Sequence, residues 1–140
     1  MAFREKIAWL TLLAMLIAYS IYFGLILSRP EPPTMLGIIW LFGTISLAQL
    51  VVVIAGSIAI AVLSGREARA RADERERAIA RRGARAAYYV LMAGMILAGV
   101  VMPFSEPPWK IVNTALLALV IAEAVNNIVV LMSYRRGWHG

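Results

Sequence analysis

Four long runs of apolar residues follow one another along the chain, separated by short polar connections. A helix needs about 20 mostly apolar residues to cross the hydrocarbon core of a bilayer. The pattern therefore predicts an all-α, polytopic membrane protein with four transmembrane helices. We expect these spans at about residues 7–28, 36–63, 86–105 and 110–133.

Two proline-rich turns divide the spans into pairs. The first reads Ser-Arg-Pro-Glu-Pro-Pro over residues 28–33, and the second reads Ser-Glu-Pro-Pro over residues 105–108. Proline lacks an N–H donor and disfavours helix in the residue before it, so both turns end a helix. The sequence thus predicts a four-helix bundle built from two helical hairpins, in a single membrane domain over residues 1–140. The similarity between the two turns is explained equally well by an internal repeat of two hairpins and by a coincidence of turn chemistry.

The connection between the second and third spans, residues 64–85, is predicted to be a helical hairpin rather than a loop. It is rich in Ala, Arg and Glu, which favour helix. Asp73 followed by Glu76 has the spacing of a capping box, in which each side chain accepts from a backbone N–H at the helix start. We therefore expect a new helix to begin near Glu74 and to continue into the third span.

Basic residues indicate the orientation of the spans. Twelve of the 14 Lys and Arg residues precede the first span, lie between the second and third, or follow the fourth. Positive residues in short loops stay in the cytoplasm. We therefore predict an inner-membrane protein with both termini and the 64–85 connection cytoplasmic. Four arginines of that connection are expected to meet lipid head groups with their charges: Arg77, Arg81, Arg82 and Arg85.

Composition narrows the range of activities. The chain is 61% hydrophobic, with a mean hydropathy of +0.77 and no cysteine. Its one histidine, His139, has no second metal ligand nearby in sequence, and no Ser, Lys or Cys nucleophile is paired with a base. We expect no enzyme activity, no metal and no cofactor. Direct nucleic-acid binding is not expected, because acidic residues interleave the arginines and no aromatic side chain is there to stack on bases.

Glu123 is the one charged residue inside a span, near the middle of the fourth. A carboxylate at that depth is costly, so it should be protonated, paired or in contact with water. Asn126 and Asn127 follow at helical spacing, and Gln49 lies near the middle of the second span. We predict that these four residues form an intramembrane polar cluster. It would serve either as hydrogen-bonded glue between helices or as a site for a proton or a cation.

Small residues recur in the last three spans. Ala118 and Ala122 have a small-x-x-x-small spacing, which lets helix backbones approach closely. Such a pair is consistent with packing inside the bundle or with an interface between subunits. Since symmetric dimers are the commonest assemblies, a homodimer is favoured.

The segment Asp73-Glu74-Arg75-Glu76, followed by Ile79 and residues 82–86, carries a family resemblance. It resembles a motif that precedes the third span in small four-span prokaryotic membrane proteins of the DUF2178 type. The tail from Tyr134 to Gly137 is similar to theirs as well. The resemblance implies a prokaryotic inner-membrane protein and assigns no activity, and Glu123 is not part of the motif.

Three functions follow as hypotheses. The first is a non-enzymatic membrane protein that acts by helix association and presents Asp73, Glu74, Arg75 and Glu76 to a soluble cytoplasmic partner or to a second subunit. The second is a small transporter or channel in which Glu123 binds a proton or a cation. The third is a sensor that binds a lipid or another hydrophobic ligand inside the bundle.

Overall fold

The described part of the chain contains four membrane-length helices, and the predicted all-α class is confirmed. The structure is a computed structural model that describes residues 3–31, 33–66 and 74–137. Within these residues there is no strand. Each helix is long and apolar enough to cross a membrane, α3 together with its continuation to Phe104. The helices are α1 (Phe3–Ser28), α2 (Met35–Ser64), α3 (Glu74–Ile96) and α4 (Pro108–Arg135).

Local sequence explains where the helices begin and end. Thr34 caps α2, because its hydroxyl oxygen accepts from the Gly37 N–H at 3.0 Å. The same helix ends before Gly65, whose φ of 57° suits a residue without Cβ. The described part of α3 runs from Glu74 into the predicted third span. Asp73, the other half of the predicted capping box, lies outside the described residues.

The end of α3 changes its winding. Residues Leu97–Val101 form a π-helical turn and Met102–Phe104 a 3-10 turn before α4 begins. Pro103 lacks the N–H that an α-helical residue would donate to the carbonyl of Gly99. The altered winding therefore lies where the α-helical hydrogen-bond pattern is interrupted.

Helices α1 and α4 form the centre of the bundle. Helix α1 packs on both α2 and α4, while α3 packs along α4, so the two hairpins meet through α1 and α4. Ala8, Leu12 and Met15 of α1 form a buried cluster with Leu131 of α4. In contrast, α2 buries only Ile38. The bundle is open, and its outer helices present most of their apolar surface outward.

Glycine lets α3 approach α4 closely. A Cβ added at Gly94 would overlap the Cβ of Ala118, and one added at Gly83 would lie 2.6 Å from Oδ1 of Asn126. Ala118 and Ala122 are both buried within the chain. Their small-residue spacing therefore serves packing inside the bundle.

The two ends of the bundle differ in chemistry. The starts of α1 and α3 lie beside the last turns of α4, where Arg4 pairs with Glu76 and Arg135 lies over Trp9. We call this the terminal end. The opposite end carries the two proline-rich turns, and we call it the proline end.

Candidate functional site

A cavity of about 370 Å³ lies at the junction of α1, α2 and α4, near the middle of these helices. Such a volume is within the range of small-molecule sites. Five polar side chains line it together with an apolar wall. The polar residues are Thr11, Tyr19, Ser46, Gln49 and Glu123, and the apolar residues are Met15, Phe42, Leu119 and Val120.

Glu123 provides the only charge among the described residues that line this cavity. It lies about midway along α4, and its side chain is exposed. Within residues 3–31, 33–66 and 74–137, no side chain forms a salt bridge or a hydrogen bond with its carboxyl group. The carboxyl group therefore faces the cavity without a partner from the described part of the chain.

An aromatic wall stands across the cavity. The ring of Tyr19 stacks on that of Phe42 with centroids 5.3 Å apart and 21° between the planes. The hydroxyl groups of Tyr19 and Ser46 form a hydrogen bond of 3.0 Å, which joins α1 to α2. Thr11 donates to the carbonyl of Ile7 within its own helix at 2.9 Å. The stacking and the Tyr19–Ser46 hydrogen bond thus hold the wall in place, and both of its residues line the cavity.

The structure brings together two of the four residues predicted as a polar cluster. Glu123 and Gln49 line the same cavity, and Gln49 also lines a second, apolar cavity of about 330 Å³ between α1 and α2. Asn126 lies instead against Gly83 of α3. Asn127 is buried and donates to the backbone carbonyl of Glu123 at 2.9 Å. Successive helical residues are about 100° apart, which turns the two asparagines toward different neighbours.

A buried polar pair near the proline end was not predicted. The Tyr22 hydroxyl donates to Oδ1 of Asn113 at 2.5 Å, and the Asn113 amide donates to the carbonyl of Trp109 at 2.9 Å. Tyr22 is fully buried and packs edge-on against Phe42, with centroids 5.1 Å apart. The pair joins α1 to α4 and braces the aromatic wall. Its one sequence signal is an asparagine inside the apolar run.

The predicted cytoplasmic motif makes contacts within the chain at the terminal end. Glu76 accepts from Nε of Arg4 at 3.3 Å, and the Arg75 guanidinium lies 5.6 Å from the ring centre of Tyr134. Glu74 is exposed. Asp73 lies outside the described residues. Two of the four motif residues therefore tie the start of α3 to α1 and α4.

The four arginines predicted to meet lipid head groups are all exposed on α3. One of them also bonds inside the chain, because Nη1 of Arg82 donates to the Ser133 hydroxyl at 3.0 Å. Ser133 is fully buried and donates in turn to the carbonyl of Val129 at 2.7 Å. Arg82 thus fixes α3 to α4 near the terminal end. The other three exposed arginines of this predicted set are Arg77, Arg81 and Arg85.

No group of three or more His, Cys, Asp or Glu side chains that could hold a metal ion occurs in the described ranges. The cavity offers one carboxylate and several neutral oxygens, in a lining that is largely apolar. Hard divalent cations need about six oxygen ligands. The chemistry available is that of a single negative charge beside hydroxyl groups, an amide and aromatic rings.

Comparison with protein families gives one match. The sequence model of a family described as "Predicted membrane protein (DUF2178)" matches residues 4–138. Comparison with curated proteins and with solved structures gives no match.

Proposed function

We propose a function inside the bilayer, because the chain belongs to the DUF2178 family of predicted membrane proteins. This family match confirms the resemblance of its sequence to that family. The chain is a small, non-enzymatic transporter in which the carboxyl group of Glu123 binds a proton or a cation and passes it across the membrane. The cavity between α1, α2 and α4 is its binding site.

One observation supports this proposal above the others. Glu123 lies about midway along a membrane-length helix, and its carboxyl group faces an open cavity without a partner among the described residues. A carboxyl group that served only to join helices would be expected to bond with a neighbouring helix. An ionised group left in hydrocarbon costs several kcal/mol. Binding a proton or a cation removes that cost.

The proposal includes an orientation. The terminal end carries the exposed arginines of α3 together with Arg4, Arg135 and Arg136. Positive residues of short segments remain in the cytoplasm, so the terminal end is cytoplasmic and the proline end faces outward. The protein then resides in the inner membrane of a prokaryotic cell.

Replacing Glu123 with glutamine is expected to abolish transport. The amide keeps the size of the side chain but can neither carry the proton nor balance a cation. The measurement is proton movement into vesicles that contain the purified protein and a trapped pH-sensitive dye, after a pH gradient is imposed. We expect flux through the unchanged chain and the background rate of protein-free vesicles with Glu123→Gln.

Glu106→Gln is the matched control for this experiment. Glu106 lies at the proline end, outside the cavity, with Oε2 3.3 Å from Nζ of Lys110. Flux through this variant should equal that of the unchanged chain. Background flux through the unchanged chain contradicts proton transport, and full flux through Glu123→Gln contradicts the proposed role of Glu123.

Self-association is a second candidate function, favoured by the exposure of α2. This helix has 30 residues and buries only Ile38. A second copy laid over α2 and the open cavity would keep Glu123 away from lipid. Association through a soluble partner has less support, because Arg75 and Glu76 already bind within the chain.

Light scattering of the purified protein in detergent tests self-association. The expected mass, after subtraction of the bound detergent, is that of two chains of 15.4 kDa. A single-chain mass that persists as the detergent concentration is lowered toward the micellar limit would remove this candidate.

A further inference from the structure

The lining of the cavity indicates which kind of cation fits it. We propose that the Glu123 cavity binds an organic ammonium ion with an apolar body, held by the carboxylate at one side and by the Tyr19 and Phe42 rings at the other. This inference rests on the proposed function and names its substrate class.

The first argument is size. A cavity of about 370 Å³ is far larger than a bare inorganic cation, and it lies in the lower part of the range for sites that enclose small organic molecules. An inorganic ion would keep its water shell in such a space, and that shell would lie against Met15, Leu119 and Val120. These side chains offer water no hydrogen bond. They do offer an apolar body a surface to pack on.

The second argument is charge. Among the described residues that line the cavity, Glu123 is the only carboxylic acid and none is Lys, Arg or His. One carboxylate balances one positive charge. The hydroxyl oxygen of Ser46 and the amide oxygen of Gln49 lie in the same lining, and their partial negative charge favours a cationic head group whether or not it carries an N–H. A monovalent cation therefore satisfies the site.

The third argument is the aromatic wall. An ammonium group is attracted to the face of an aromatic ring within about 6 Å of its centre, because the ring face is negative. Tyr19 and Phe42 stack on each other at 21° and both line the cavity. The hydrogen bond between the hydroxyl groups of Tyr19 and Ser46 fixes this wall, so the rings do not have to reorganise when a ligand enters. A carboxylate and aromatic rings around one space recognise an organic cation better than a metal ion.

The fourth argument is access. Glu123, which lines the cavity, is exposed on a membrane-length helix. An amphiphilic amine concentrates in the bilayer and can reach the opening from within it. A hydrated metal ion would have to cross hydrocarbon to reach the same place.

Equilibrium dialysis of the purified protein in lipid nanodiscs, with radiolabelled benzyltrimethylammonium as the probe, tests the proposal. We expect saturable binding by the unchanged chain and by Glu106→Gln. Binding should weaken by more than about tenfold in Glu123→Gln, since the opposite charge is lost. Phe42→Leu should weaken it by a few-fold, because the second ring is lost and the apolar contact remains.

A neutral molecule of the same shape gives a test that needs no variant. Neopentylbenzene carries carbon in place of the ammonium nitrogen, and we expect it not to displace the labelled cation from the unchanged chain. Displacement at equal concentration would show an apolar pocket without charge recognition and would overturn the proposal. Displacement by sodium chloride but not by potassium chloride at equal ionic strength would show an inorganic cation site and would overturn it too.

The outcome separates this inference from the proposed function. Proton flux that depends on Glu123 in a chain that binds no ammonium ion overturns the inference alone. Ammonium binding that depends on Glu123 in a chain without proton flux supports the inference and contradicts proton transport.

Discussion

Replacing Tyr22 with alanine should lower the free energy of unfolding by about 3 kcal/mol, as large aromatic truncations in packed interiors do. Tyr22 is fully buried, contacts Phe42 and donates to Asn113, so a single side chain links α1 to both of its neighbours. Alanine leaves a cavity where the ring was, and Oδ1 of Asn113 loses its donor. The measurement is equilibrium unfolding in mixed micelles of rising SDS content, followed by circular dichroism.

Two further variants separate packing from hydrogen bonding at this site. Tyr22→Phe keeps the ring and should cost about 0.6–2 kcal/mol, the range for hydrogen bonds between membrane helices. Tyr88→Ala is the matched control, because Tyr88 is 60% exposed. It should change the free energy of unfolding by less than about 0.5 kcal/mol. A Tyr22→Ala variant no less stable than Tyr88→Ala would show that the described pairing of α1 with α4 is wrong.

Replacing Gly94 with leucine should force α3 away from α4. Even a Cβ at this position overlaps the Cβ of Ala118, so a larger side chain cannot be accommodated without movement of a helix. Overpacking of this kind costs about 1–3 kcal/mol. The same unfolding experiment measures it. We also expect the variant to be cut faster by protease in detergent, because the α3–α4 contact is the most extensive in the fold.

The control for Gly94 is Gly43 of α2, which has no atom within 4 Å of the position of an added Cβ. Gly43→Leu should leave stability unchanged or raise it slightly, since glycine inside a helix costs about 0.5–1 kcal/mol relative to alanine. A rescue experiment is also available. Gly94→Ala alone should be destabilised by the overlap with Ala118. Adding Ala118→Gly to it exchanges the small residues across the contact and should restore most of the stability that Gly94→Ala loses. Equal changes in the free energy of unfolding for Gly94→Leu and Gly43→Leu would contradict the close approach of α3 to α4.

The sequence predicts the elements of this fold better than their packing. The lengths of the apolar runs are enough to predict four membrane-length helices, because the thickness of the bilayer sets a minimum length. They do not indicate which face of a helix is buried. Helices α1 and α2 are both strongly apolar, yet Leu12 of α1 is buried and Leu47 of α2 is exposed. Lipid accepts the same side chains as a protein interior, so periodicity carries little information on burial.

The candidate site was predicted in part, for a related reason. An acid inside an apolar run is conspicuous, and an amide at similar depth on another helix is its natural neighbour, which is how Glu123 and Gln49 were found. The side to which Asn126 and Asn127 turn depends on where α3 lies, and hydropathy does not provide that position. Phe42 was missed because an aromatic residue in a membrane helix looks like any other apolar residue.

The contacts at the terminal end have a consequence for biosynthesis. Arg4 and Trp9 are made before their partners Glu76 and Arg135, which belong to later helices. Leu131 of α4, which packs on the buried face of α1, is also made after α1. Helices α1 and α2 are therefore made before the helix that covers the core face of α1. Closure of the bundle depends on α4, which follows the other three helices in chain order.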